Sequence, residues 1–359
     1  MRTVNNSPAR RPTLKEIALK VGLTPAAVSL ALRGDPSIPR ATGERVMKAA
    51  AELGYTPDPE LGRLMSYLRR HREARIVSAL GLLSLHRDPS LWAKNSFLRR
   101  LHENMVKRAG ELGFLTEDFF LNDPKISATR MRDIMVARGI KGLVIVCGPA
   151  PVDSIGLDLA PFASVTIGYG VGLPLHRVCQ HQYEEMFQLL ARLRGLGYKR
   201  PGLVIETETD RRTRFHYTSA YSIAGRARGK KAVPALLGTE ITRDVFSKWV
   251  RRHAPDAVIA HGSAAAHVYS GWLARMGKKT PGDIGLAALD VDTFASERCS
   301  GIVQDYEQVA AAAVELAASQ VRAGEKGIPA TPKVLMIEGR WQDGGTTRRQ
   351  RQGSRAPIS

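Results

Sequence analysis

Residues 11–34 read RPTLKEIALKVGLTPAAVSLALRG, and this run decides how the start of the chain folds. Leu14, Ile17, Ala18 and Val21 recur at i, i+3, i+4 and i+7, which is one apolar face of a helix, and Thr13-Leu14-Lys15-Glu16 is a capping box at its start. Gly22 is the expected stop. Thr24 then supplies a second N-cap, Pro25 suits the first helical position, and Val28 and Leu32 lie one turn apart before Gly34. After DPSIPRAT at 35–42, Val46, Ala49, Ala50 and Leu53 mark a third helix ending at Gly54. Three short helices share one small core, and the first two meet at a tight turn. A second helix this short, angled by Ala18, Val21 and Val28 with its N-terminal amides exposed, has the shape that enters a major groove and faces phosphate. Any small helical hairpin shares the apolar spacing, so spacing alone does not settle the matter.

Working outward, residues 1–11 are polar and basic with Pro8 and form an expected loose arm. On the other side, YTPDPE at 55–60 punctuates the chain, and LGRLMSYLRRHREAR at 61–75 is a basic linker with a helical option. Beyond Arg75, apolar runs alternate with helical stretches. IVSALGLLSL, FLTEDFFL and GLVIVC are separated by helices near 96–112 and 127–138. A second series holds ASVTIG, HRVCQ, PGLVIE, DAVIA and DIGLAALD, with helices near 183–196, 212–227 and 264–276 between them. A helix at 306–322 and the strand KVLMIEG at 333–339 follow. This alternation predicts β-α-β units on parallel sheets, arranged as two doubly wound lobes. Residues 340–359 read as a basic, disordered tail.

The formal net charge is +19 over 359 residues, a field that favours a polyanionic partner. Residues 1–75 hold 14 Lys and Arg against 7 acidic residues, and residues 340–359 hold five against one, so the two ends carry most of the excess. The nucleic-acid candidate is therefore terminal. Cys147, Cys179 and Cys299 are odd in number, far apart and without a C-x-x-C pair, which argues against a disulfide framework or a zinc site and fits a reducing compartment. No stretch approaches a membrane span, and the start has no apolar leader, so a cytoplasmic protein without membrane partner is expected. The chain contains no G-x-x-x-x-G-K-[ST] loop, no H-E-x-x-H, no G-x-S-x-G elbow and no dinucleotide fingerprint in the first β-α unit. No enzyme, no catalytic residue, no metal and no cofactor are expected.

The motifs TLKEIA, VGLT, AVS, ERV and ELGYTP, with a leucine at Leu64, resemble the lactose-repressor and galactose-repressor (LacI/GalR) family of bacterial transcription regulators. The resemblance implies a small all-α helix-turn-helix head plus an α/β two-lobed periplasmic-binding-protein-like effector domain. It implies a repressor that binds near-palindromic double-stranded operator DNA as a homodimer under the control of a small-molecule, carbohydrate-like effector. It divides the chain into a disordered arm at 1–11, the DNA-binding head at 12–57, a hinge at 58–75, the effector and dimerisation domain at 76–339 and the basic tail at 340–359. The tail has no leucine heptad, so a dimer rather than a tetramer is expected.

Carried over position by position, the DNA-binding set is Thr13, Thr24, Pro25, Ala26, Ala27, Ser29, Leu30, Arg33 and Leu64. Thr24 and Ser29 take phosphate-contacting places, and Pro25, Ala26, Ala27 and Leu30 take base-reading places. These four are apolar, so readout leans on thymine methyls. Arg33, Arg40 and Arg45 suit phosphate contacts or solvent. Leu64 matches the leucine that wedges into the minor groove. The hinge departs from the family, with Asp58-Pro59-Glu60 at its start. The effector set is His86, Phe97, Tyr217, His261, Asp290 and Gln304. Asp290 stands where the family aspartate binds sugar hydroxyls, and Gln304 lies in the crossover segment with Tyr306. His261 replaces a usual Asn, Ser or Thr, and Tyr217 stands where an effector-clamping arginine is usual. Trp92, Phe97 and His86 offer rings for stacking or for the core, and Arg211, Arg212 and Arg214 suit either a negatively charged effector or a solvated helix start.

Overall fold

The computed structural model describes residues 12–32, 38–55, 78–86, 88–148, 150–226, 232–291 and 299–350, in two compact units divided between residues 76 and 77. The expected arm and hinge, with Arg33 and Leu64, lie outside the described residues.

The first unit holds α1 (Leu14–Val21), α2 (Pro25–Ala31) and α3 (Arg40–Glu52). Ile17, Val28 and Val46 are its fully buried centre, one from each helix, with Ala18, Ala31, Ala49 and Ala50 letting the backbones close in. Helix α1 stops because Gly22 takes φ +69° and its N–H turns back to Ala18 O, a left-handed cap that costs glycine nothing.

The second unit contains two six-stranded sheets. The first lobe is built from β1 (Ala79–Ser84), β2 (Leu115–Phe120), β3 (Ile140–Val146), β4 (Ala163–Ile167), β5 (His176–Gln180) and the late strand β11 (Val334–Ile337), in the order β2-β1-β3-β4-β5-β11, all parallel. Helices α4 (Leu91–Lys94), α5 (Ser96–Glu111) and α6 (Ala128–Ala137) intervene. The second lobe holds β6 (Pro201–Glu206), β7 (Leu236–Gly238), β8 (Ala257–Ala260), β9 (Gly285–Ala288), β10 (Ser300–Val303) and β12 (Arg340–Gln342), in the order β7-β6-β8-β9-β10-β12. Only the β10–β12 pair is antiparallel. Its helices are α7 (Gln182–Gly195), α8 (Thr207–Arg212), α9 (His216–Arg226), α10 (Arg243–His253) and α11 (Ser263–Arg275).

Helix α12 (Tyr306–Ala323) follows a strand of the second lobe but packs on the first, where Ala310, Ala312, Ala313, Ala317 and Ala318 seat it against α5 and β4. The chain therefore crosses between lobes three times, after β5, after β10 and after β11. Each sheet is covered on both faces by separate apolar clusters. That is why β3, β4, β8 and β9 read as near-continuous apolar runs rather than as alternating ones.

Three elements differ from the sequence reading. The helix expected at 212–227 begins only at His216, because Arg214 and Phe215 take φ of 51° and 60° and separate α9 from the short, unread α8 before it. Helix α10 went unread, although Phe246, Trp249 and Val250 bury one face at i, i+3 and i+4. Residues 340–350, read as tail, are instead stitched to the second lobe. Ser300 N–H donates to Thr346 Oγ1 at 2.9 Å, Thr346 Oγ1–H donates to Leu286 O at 2.7 Å, and Gln350 N–H donates to Leu196 O at 2.7 Å. Their polar composition hid a segment whose bonds are made by backbone and threonine hydroxyls rather than by apolar burial.

Gly301 fixes the β9–β10 contact. It has φ +154°, and a Cβ there overlaps Ala288 O and comes within 2.7 Å of Ala288 N. Gly301→Ala is expected to destabilise the protein by about 3 kcal/mol through this overpacking, read as a lower urea midpoint. An unchanged midpoint contradicts the packing described.

Candidate nucleic-acid interface and ligand cleft

In the head, Thr13 and Glu16 hold the start of α1, with the Thr13 N–H donating to Glu16 Oε2 at 2.6 Å. Thr24 caps α2, its Oγ1 accepting from Ala27 N–H at 3.2 Å, while Pro25 needs no partner for a missing N–H. Pro25 and Ala26 are exposed, and Ala27, Ser29 and Leu30 are half-exposed, so the first turn of α2 presents a smooth, small apolar surface. Arg45 is exposed and also makes a bond within the head. Its guanidinium donates to Val21 O at 2.8 Å and caps the end of α1, which fixes α3 against the turn. Arg40 pairs with Glu44 on its own helix.

In the second unit, the strand order of each lobe reverses direction beside its first strand, between β1 and β3 and between β6 and β8. In open α/β sheets, ligands bind outside the carboxyl ends of strands at such a point. His86 and Cys147 follow β1 and β3 there, and α8 and His261 follow β6 and β8. The lobes meet at this level. Tyr169, beyond β4, lies edge-on to His216 at 5.0 Å and beneath the Arg214 guanidinium at 5.7 Å, both from the opposite lobe. Arg177 braces Tyr169 from its own lobe, stacking at 4.9 Å and donating to Gly168 O, Val171 O and Leu173 O.

The effector candidates fall into two layers. Tyr217 and Gln304 are buried. Tyr217 O–H donates to Glu185 Oε2 at 3.1 Å, and Gln304 Nε2 donates to the same oxygen at 3.1 Å and to Leu289 O at 3.1 Å. They form a buried floor whose hydrogen bonds are made within the protein. His261 sits above that floor, 6.1 Å from the Tyr217 ring. Asp290 accepts from Tyr306 O–H at 2.6 Å, and Phe97 packs edge-on against Tyr306 at 4.5 Å. His86 is half-buried at the end of β1. Trp92 belongs to the core, against His102 and Phe120.

Burial lowers the His261 imidazole to about 4, with the Arg212 charge adding to the effect. His86 moves the same way, for burial first and the Arg212 guanidinium after it. Burial also pushes Glu185 up to about 8, helped by the Asp290 and Glu338 charges and opposed by the Tyr217 hydroxyl. At neutral pH the cleft thus offers two uncharged imidazoles and a protonated carboxyl below them. Glu185, Tyr169, Arg177 and His216 were not anticipated. Each acts through a residue distant in sequence, and no local pattern marks it. Among the described residues no group of His, Cys, Asp and Glu is placed to hold a metal, and no helix is long and apolar enough to cross a membrane.

A helix-turn-helix head in one chain with two doubly wound lobes around a cleft defines a class. Residues 13–58 match the model for bacterial regulatory proteins of the lacI family, and residues 190–347 match the periplasmic binding protein-like domain. The chain belongs to the lacI family of bacterial regulatory proteins. It is 37% identical over 79 residues to the HTH-type transcriptional regulator GntR of Pseudomonas aeruginosa, covering 22% of this chain and 23% of that one. It is 47% identical over 51 residues to the HTH-type transcriptional repressor CytR of Escherichia coli, covering 14% and 15%. The matched stretches thus span less than a quarter of these relatives. Two solved structures share the fold, each with a TM-score of 0.56, over 94% of this chain and all of theirs. One is the transcriptional regulator CelR–cellobiose complex at 17% identity, and the other is the lac repressor dimer bound to operator and the anti-inducer ONPF at 16%.

Proposed function

We propose that this protein is a cytoplasmic DNA-binding transcription regulator, acting as a repressor. It reads a near-palindromic operator as a homodimer and is controlled by a small sugar or sugar derivative held between its lobes. The observation that carries the reading is the first turn of α2, capped by Thr24 and left exposed at Pro25 and Ala26 on a head that matches the lacI family. In it, Thr13, Thr24, Ser29 and Arg33 contact phosphate, Pro25, Ala26, Ala27 and Leu30 meet base edges, and Leu64 of the 58–75 hinge enters the minor groove. His86, Phe97, His261 and Asp290 face the effector, with Tyr217 and Gln304 beneath. Lobe closure then alters the spacing of the two heads. The complexes recorded for the neighbours, one with cellobiose and one with operator, support this assignment.

The test is selection from randomised duplex DNA by the purified full chain, at a fixed salt concentration because phosphate contacts make affinity salt-dependent. An enriched two-fold sequence with a fixed centre is the expected result. Salt-sensitive bulk binding that enriches nothing overturns the reading and leaves a ligand-binding module without operator specificity.

A further inference from the structure

We propose that the cleft selects an anionic, polyhydroxylated ligand, a carboxylate-bearing or phosphate-bearing sugar, whose charged group docks against Arg212 with Arg214 beside it. This deepens the effector reading above and rests on it.

The two arginines are placed by the break between α8 and α9. Arg211 is paired with Glu208 at 3.4 Å, whereas Arg212 and Arg214 make no ion pair with any described residue. Arg214 reaches across to Tyr169 of the opposite lobe, held there by a turn in which it and Phe215 both take left-handed backbone conformations. Such strain at non-glycine residues costs energy and persists only where the surroundings impose it. Arg212 ends α8 at the switch point of the second lobe, and its side is exposed. His86 and Cys147 follow β1 and β3 at the switch point of the first lobe, His261 follows β8 in the second, and the Arg212 charge bears on all three.

The carboxylates nearby do not cancel these charges. Glu185 is protonated at neutral pH because burial raises it to about 8. Asp210 is buried beneath the turn, accepting from Thr218 Oγ1–H at 2.7 Å. Asp290 remains, engaged by Tyr306. A solvated pair of arginines also leaves charge unpaired, but solvent does not explain why both flank a cleft whose imidazoles are held neutral. A neutral imidazole donates with one nitrogen and accepts with the other, which suits hydroxyl groups, while a planar guanidinium suits a two-oxygen anion.

The experiment is calorimetry of the full chain against matched neutral and charged sugars, namely glucose, glucuronate, gluconate and glucose 6-phosphate, with the galactose counterparts. At least one charged member is expected to bind ten-fold or more tightly than its neutral parent, and carboxylate or phosphate is distinguished by which one does. Arg212→Gln is expected to lose at least ten-fold in affinity for it, and Arg212→Lys to recover part of the loss, with melting curves of both variants confirming the fold. Histidine resonances should report an upward movement of the His261 titration on binding, as an anion brought beside the imidazole requires. Equal affinity for a neutral parent, an unaffected Arg212→Gln variant, or no charged member bound by a protein that still selects an operator each overturns the anion proposal while leaving the regulator standing. Failure to select DNA removes the regulator reading whatever the calorimetry gives.

Discussion

Glu185→Gln is expected to abolish a loss of stability that the natural protein suffers between about pH 6.5 and pH 8. Glu185 lies at the start of α7, just past the first crossover between lobes, and its carboxyl accepts from Tyr217 and from Gln304 of the second crossover. The third passes so close that a Cβ on Gly339 falls 3.2 Å from Glu185 Oε1. With the Asp290 and Glu338 charges acting on it as well, the carboxyl is raised from 4.5 to about 8. An acid raised on folding holds its proton in the folded state over a range in which the unfolded chain has released it. Folding then takes up a proton, and stability falls as pH climbs from the unfolded value through the folded one. At about 1.4 kcal/mol per unit, the full effect is a few kcal/mol. Glutamine keeps an oxygen for the Tyr217 and Gln304 donors and has nothing to ionise. Denaturation midpoints should decline from about pH 6.5 to about pH 8 for the natural protein and stay level over that range for the variant. Parallel curves for the two proteins disprove the assignment.

The acid side carries the opposite sign and belongs to His261. Its imidazole is depressed to about 4, so below about pH 6.5 the unfolded chain binds a proton that the folded protein refuses. Stability present above pH 6.5 is lost as pH falls through 4. The two contributions offset each other between about pH 4.5 and pH 6.5, so together they place the stability maximum of the second unit on the acid side of neutrality, with the Glu185 loss left uncompensated above pH 6.5. His261→Asn is expected to remove this offset, so that the denaturation midpoint already declines from about pH 5 to about pH 6.5, and a variant that stays level over that range refutes the assignment to this residue.

What the sequence disclosed and what it withheld divides by range of interaction. The head was legible because its signals are local: Thr24 caps Ala27 three residues on, and Leu14, Ile17, Ala18 and Val21 repeat at helical spacing before Gly22. The strands were legible because sheets buried on both faces leave solid apolar runs. The β9–β10 overlap at Gly301 and the stitching of Thr346 to Ser300 were not, since they join segments tens of residues apart. The cleft was half legible. Asp290, Tyr217 and Gln304 were found through family order. Glu185, 32 residues from Tyr217 and 119 from Gln304, looks in QYEEMF like an ordinary acidic first turn. Only the folded arrangement shows which glutamate of Glu184 and Glu185 is buried.

Ala26→Glu should separate the stability of the head from its proposed contact with DNA. Ala26 is exposed in the first turn of α2, where it touches nothing that a larger side chain must displace. The first turn of α2 carries no acidic residue, and its amides and the helix dipole favour one there by about 0.3–1 kcal/mol. The head should therefore melt at the same temperature or slightly higher. On DNA the same carboxylate faces phosphate and base-edge acceptors, it can accept only from a cytosine or adenine amine, and each half-site of a dimer suffers the penalty. At about 1–3 kcal/mol per half-site, the selected operator should be bound roughly 30-fold to 20,000-fold more weakly. Melting and operator titration of one preparation measure both quantities. A variant that is stable yet binds the operator unchanged removes α2 as the reading helix, because a carboxylate in that turn is tolerated only if no nucleic acid approaches it.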